Sequence, residues 1–165
     1  LEAMNPWRGG GEMIDVVSLE NGTTYAGLPH KFEAGTPHIS GAVALGVALQ
    51  WLTGVGLKNV MEHETVLSAQ ARHQLGKIDG MRFIGSAPLT SGAVSFIVEG
   101  VHPYDLGTLL DQQGIAVRTG HHCTQPIMDH FDIPGTVRAS FGVYNTLQEV
   151  DALVQGVERA LKMLR

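Results

Sequence analysis

Between residues 37 and 53 nearly every position is apolar, with Val43, Leu45, Val47, Leu49, Trp51 and Leu52 in close succession. A segment apolar all round the helical wheel predicts a helix that needs burial on every side, in a core or against another subunit. The following stretch has a different pattern. From Leu57 to Ile78 the apolar residues Leu57, Val60, Met61, Leu67, Ala71, Leu75 and Ile78 recur mostly at steps of three and four. Glu62, His63, Arg72 and Lys77 lie elsewhere on the wheel, so a long amphipathic helix is expected.

Strand signals lie on either side of this helical block. Met13 to Leu19 is rich in β-branched and apolar residues, and Asn21-Gly22 turns it into Thr23-Thr24-Tyr25 as a hairpin. Beyond Asp79-Gly80, Met81–Ile84 and Ala93–Glu99 have strand character, with Val94, Phe96 and Val98 alternating against Ala93, Ser95 and Ile97. Pro103 opens a helix through Leu106, Leu109 and Leu110 that closes at Gly114. Ile115-Ala116-Val117-Arg118 reads as a short strand entering the polar turn Thr119-Gly120-His121-His122-Cys123, with a short helix after Pro126. Val137 to Phe141 is a further strand. Thr146 with Glu149 forms a capping box ahead of Val150, Leu153, Val154, Val157, Leu161 and Leu164, a closing amphipathic helix. Strands mixed with helices in this order predict an α/β chain whose second two-thirds is an α+β-like, two-layer sheet-and-helix sandwich.

Composition narrows the function classes. With 165 residues, 44% of them hydrophobic, the chain can bury a sizeable core. A net charge of −5 with no basic run argues against a nucleic-acid partner. The apolar stretch Ile39 to Leu52 is too short for a membrane span and is interrupted by Gly41 and Gly46. The first residues, Leu1 to Pro6, lack the pattern of a secretory signal and read like chain entered in mid-course. The single cysteine cannot close an internal disulfide, and a cytoplasmic location is expected.

That cysteine, Cys123, follows two histidines and lies near Arg118 in sequence, surroundings that favour a thiolate; the alternative is a buried, inert thiol. His121 and His122 as a metal pair are disfavoured, because adjacent residues rarely point at one ion and no third ligand stands at familiar spacing. Arg118 and Arg138 sit in or beside short strands of small and apolar residues. Each is either salt-bridged to an acid or a planar fork for a carboxylate. Thr36, in Glu33-Ala34-Gly35-Thr36-Pro37, is either the N-cap of the apolar helix or an anion contact. The triplet Gly9-Gly10-Gly11 permits close backbone approach to a ligand, though it is commonly only a turn.

Four segments in this order carry a resemblance: Arg8-Gly9-Gly10-Gly11-Glu12-Met13-Ile14, Phe32-Glu33-Ala34-Gly35-Thr36-Pro37, Arg118-Thr119-Gly120-His121-His122-Cys123, and Arg138-Ala139-Ser140-Phe141 with Tyr144-Asn145-Thr146. They resemble the group II, SUF-type (SufS/CsdA-like) cysteine desulfurases of the class V aminotransferase relatives. The resemblance spans essentially the whole chain. It implies the C-terminal portion of a fold-type I pyridoxal phosphate homodimer, with residues 1–53 as the tail of the large domain and 54–165 as the small domain. It also implies conversion of L-cysteine to alanine, leaving a persulfide on Cys123 for iron-sulfur cluster assembly through a SufE/SufU-like acceptor protein. Arg138, Arg118 and His122 are implied at the substrate, and Thr36 with Gly11 at the cofactor, Thr36 reaching the phosphate of the other subunit. Neither Thr124, where alanine is common, nor Ile127, where leucine is common, disturbs the motifs.

The four lysines, Lys31, Lys58, Lys77 and Lys162, all lie outside the Ser-x-His-Lys context the family uses to hold its cofactor, so this portion alone is expected to be inactive. Two other readings stand beside the desulfurase: a stand-alone sulfur-acceptor module and a selenocysteine lyase.

Overall fold

The computed structural model describes residues 1–87 and 90–165, and the chain divides into two compact units, Leu1–Gly54 and Val55–Arg165.

In the first unit, β1 (Ile14–Ser18) and β2 (Gly22–Tyr25) pair antiparallel, and a single 3-10 turn follows at His30–Phe32. The hairpin turns at Gly22, whose φ of +80° suits a residue without a Cβ. Next comes α1 (Ile39–Val55), with no buried residue. Val43 is 64% and Trp51 58% exposed, so the burial its all-apolar surface calls for is not provided by the described residues. Thr36 is not the cap of this helix, because the helical turn starts three residues later and the Ala42 amide donates to the His38 carbonyl at 3.0 Å.

The second unit is a four-stranded antiparallel sheet in the order β3 (Met81–Ile84), β4 (Ala93–Val98), β6 (Thr136–Ser140), β5 (Arg118–Gly120). Helices α2 (Leu57–Leu75), α3 (Pro103–Asp111) and α5 (Leu147–Leu164) share one core with it, and α4 (Gln125–Phe131) follows the cysteine loop. Leu67, Ala71 and Leu75 of α2, Leu106 and Leu110 of α3, and Val150, Val157 and Leu161 of α5 meet Val94, Phe96, Val137 and Ala139 of the central strands. Because strand side chains alternate, the residues between these point to the sheet's other face. Strand register lines up Ile84, Ser95, Arg138 and Arg118 as one row across that second face.

Several boundaries differ from the sequence reading, among them the end of α3, expected at Gly114 and found at Asp111. The helix expected to Ile78 ends at Leu75, closed by Gly76, whose amide bonds to the Arg72 carbonyl. The strand expected over 115–118 lies instead at Arg118–Gly120. Ile115 is drawn away from the sheet: its amide donates to the Leu110 carbonyl at 3.0 Å and its side chain packs on Gly156 of α5. Among the described residues no single helix is long and apolar enough to cross a membrane.

Candidate active site

Two close contacts at glycines fix β5. A Cβ on Gly107 of α3 would collide with the Thr119 side chain, and one on Gly135 would stand 2.9 to 3.0 Å from the backbone of Gly120. Held so, the chain leaves β5 at Gly120, with φ +107°, and turns through His122 and Cys123, at φ +53° and +60°. Two consecutive non-glycine residues in the left-handed region are costly for L-amino acids, and such strain clusters at working sites. The turn is secured by its own neighbours: the Cys123 amide donates to His121 Nδ1 at 3.2 Å, and the Thr124 hydroxyl to the His121 carbonyl at 2.8 Å.

The result is an exposed thiol. Arg118 Nη2 donates to Cys123 Sγ at 3.8 Å, so a positive charge lies against the sulfur. Arg118 pairs across the strands with Arg138, and among the described residues neither guanidinium forms a salt bridge. Arg138 Nε is buried without an acceptor. A buried donor left unpaired costs about 1–3 kcal/mol, so Arg138 has hydrogen-bonding capacity left over for an acceptor.

His122 turns to a different partner from His121. Its Nε2 meets Thr136 Oγ1 at 2.8 Å, while its Nδ1 is buried and unpaired. Burial first, then the charge of Arg138, pushes its pKa below the usual histidine value, with Arg118 and His121 adding to the effect and Thr136 opposing it. A lowered pKa favours neutral His122 at pH 7, which leaves the positive charge around the thiol to the two arginines. The sequence reading passed over Thr136, although its place two residues before Arg138 puts both on one face of β6.

Cys123, Arg118, His122 and Arg138 thus come together in the second unit, while Gly11 and Thr36 belong to the first. There the Gly35 amide donates to the Gly11 carbonyl at 3.0 Å, and Gly10 lies so close to Ala34 that a Cβ would stand 3.2 Å from it. The glycine turn and the Thr36 loop are thereby tied together. A depression lined by Glu12, His30, Glu33, Ala34, Gly35, Thr36 and Pro37 opens beside them. Among the described residues the Thr36 hydroxyl makes no hydrogen bond, which fits a single contact to a phosphate oxygen. Glu12 and Glu33 oppose an anion in the same depression, with His30 Nδ1 3.6 Å from Glu33. The donors on this loop fit one edge of a phosphorylated cofactor and no more.

A strained turn thus offers an exposed thiol beside a cross-strand pair of arginines that form no salt bridge among the described residues. The chain belongs to the aminotransferase class-V family, whose profile matches residues 1–153. It is 50% identical over 164 residues to a probable cysteine desulfurase of Vibrio cholerae, covering 99% of this chain and 40% of that protein. Its fold matches the crystal structure of the Escherichia coli cysteine desulfurase CsdA (S-sulfonic acid) with a TM-score of 0.86 at 42% identity, over 100% of this chain and 41% of the other. The apo cysteine desulfurase of Thermococcus onnurineus NA1 matches with a TM-score of 0.82 at 39% identity, over 96% and 40%. The chain spans about 40% of the length of the curated relatives it matches. Class V aminotransferases and cysteine desulfurases are pyridoxal phosphate enzymes.

Proposed function

We propose that this chain is the thiol-bearing C-terminal part of a cysteine desulfurase, which takes sulfur from L-cysteine and leaves alanine. The observation that carries the reading is the exposed Cys123 sulfur 3.8 Å from Arg118 Nη2, with Arg138 directly across the strands and its Nε lacking an acceptor. In the mechanism, Arg138 and Arg118 grip the substrate carboxylate, since planar guanidinium donors match two carboxylate oxygens. His122 stays neutral beside them and adds no third charge. The positive charge of Arg118 steadies the Cys123 thiolate. The thiolate attacks the substrate sulfur, so that a sulfur–sulfur bond forms as the carbon–sulfur bond breaks. The electron pair of the broken bond stays with the substrate carbon, which takes up a proton to become the methyl group of alanine.

Pyridoxal phosphate, when bound, supplies the electron sink that makes this carbon–sulfur cleavage accessible. From this chain the Thr36 hydroxyl would hold the phosphate, on the loop tied to Gly11 by the Gly35 amide. The rest of the cofactor shell, including its covalent lysine, falls to sequence outside this segment, so the 165-residue chain by itself turns over nothing. The reading extends to a cytoplasmic homodimer of the SUF type that passes persulfide sulfur to a SufE/SufU-like acceptor. The exposure of Cys123 supports hand-over to a second protein.

The test uses the full-length enzyme and L-cysteine, following alanine release and persulfide on Cys123 by mass spectrometry. Cys123→Ala is expected to abolish both. Undiminished alanine formation in that variant would refute the assignment.

A further inference from the structure

The chain from His121 to Thr124 closes on itself as a turn, the Thr124 amide donating to the His121 carbonyl at 2.9 Å. Its two central residues, His122 and Cys123, both stand at positive φ, the pattern of the I′ class that glycine, asparagine and aspartate dominate. A histidine and a cysteine are strained there, so the turn needs bonds beyond the one that closes it. Two exist: the Cys123 amide donates to His121 Nδ1 at 3.2 Å, and the Thr124 hydroxyl to the His121 carbonyl at 2.8 Å. Both directions follow from chemistry, since a backbone N–H only donates and a carbonyl oxygen only accepts.

Thr124 is also the N-cap of α4, a position where a threonine hydroxyl ordinarily accepts a helix amide. Here its side chain makes no cap bond. Pro126 has no N–H to offer, and the Ile127 amide goes to the Thr124 carbonyl at 2.9 Å. The hydroxyl faces back across the turn instead, over the residue whose sulfur lies 3.8 Å from Arg118 Nη2.

We propose that Thr124 is a positioning residue: its hydroxyl, with His121, clamps the turn and so keeps the Cys123 sulfur against Arg118. Thr124 acts only through Cys123. A nucleophile held in its reactive geometry speeds the chemical step without tightening the binding of the substrate. The rate half of this proposal rests on the desulfurase reading, whereas the clamp does not.

The test uses the full-length enzyme and two readouts. Hydrogen exchange at the Cys123 and Thr124 amides, followed by mass spectrometry, reports the clamp. The single-turnover rate of persulfide formation with L-cysteine reports the reaction. Thr124→Val keeps the branched shape and removes the hydroxyl. It is expected to speed exchange roughly fivefold and slow persulfide formation by a similar factor, the scale of one net hydrogen bond. The cysteine concentration that half-saturates the rate is expected to stay within about twofold of wild type. Thr124→Ala is expected to match Thr124→Val, and Thr124→Ser to restore both readouts. Wild-type exchange in the two variants without the hydroxyl, or exchange in Thr124→Ser as fast as in Thr124→Val, overturns the clamp. Faster exchange with an unchanged persulfide rate overturns the positioning role. A wild-type enzyme that forms no persulfide from L-cysteine removes the desulfurase reading, and amide exchange still decides the clamp.

Discussion

Arg118 and Arg138 face each other as a direct cross-strand pair on β5 and β6, two like charges with no carboxylate bridged to either among the described residues. Like charges so placed destabilise a sheet, by roughly the 0.2–1 kcal/mol that an opposite-charge pair contributes. Folding alone gives no reason to keep them, whereas the carboxylate of the proposed substrate would turn their repulsion into binding.

Replacing one arginine should therefore separate stability from function. Arg118→Gln is expected to raise the free energy of unfolding by up to about 1 kcal/mol at low salt. The gain should shrink near 1 M salt, where the screening length is about 3 Å. L-cysteine binding should weaken in the same variant. Urea melts at two salt concentrations, beside the KM for cysteine, make the comparison. A variant less stable than wild type at low salt would show that the pair is not repulsive.

His122 sets an acid limit on the fold. Its folded pKa lies below the usual value of 6.5, chiefly through burial and the charge of Arg138. Between the folded pKa and 6.5 the unfolded chain binds the proton and the folded chain does not, so stability rises with pH across that window. The contribution is complete above pH 6.5 and is lost as pH falls through the folded value. His122→Gln is expected to flatten this part of the profile, measured as the urea midpoint against pH. A slope identical to wild type would place the titration elsewhere.

What the sequence made legible is local, and what it hid depends on partners far along the chain. The capping box is a four-residue pattern, and it forms as read: the Glu149 amide bonds to Thr146 Oγ1 at 3.3 Å and the Thr146 amide to Glu149 Oε2 at 2.7 Å. The alternation over 93–98 likewise gives the buried face of β4 directly. The shift of β5 to Arg118–Gly120 follows from Ile115 packing on Gly156, and no window around Ile115 contains α5. The pairing of Thr136 with His122 spans fourteen residues and is likewise hidden from any local pattern.

Gly135 is required by the approach of two backbones. Its φ is +155°, and an added Cβ would meet the Gly120 carbonyl carbon at 2.9 Å, with no flexible side chain to give way. Gly135→Ala is expected to push β5 outward, costing on the order of 1–3 kcal/mol as an overpacked site. Because Gly120 leads into the cysteine turn, iodoacetamide labelling of Cys123 should change in the same variant. Gly76→Ala offers a control outside that turn, since its added Cβ would meet the Arg72 carbonyl oxygen at 2.9 Å in the turn closing α2. Equal labelling of Cys123 in Gly135→Ala and wild type would mean that the close approach does not shape the turn.

The strain at the thiol gives a comparison in which the usual order of glycine and alanine inverts. In ordinary backbone, alanine is the more stabilising residue, because glycine loses more conformational freedom on folding. Cys123 sits at φ +60°, where an L-residue pays roughly 1–2 kcal/mol that glycine avoids. Cys123→Gly and Cys123→Ala both remove the sulfur, so the difference between them isolates the backbone. Cys123→Gly is expected to be the more stable by about 1 kcal/mol, allowing for glycine's larger entropy loss. Guanidinium melts of the two variants side by side read this directly. If alanine proves as stable as glycine, the turn relaxes to negative φ once the sulfur is gone. The left-handed backbone would then be held by the bond from Arg118 to the sulfur and not by the anchors at His121 and Gly135.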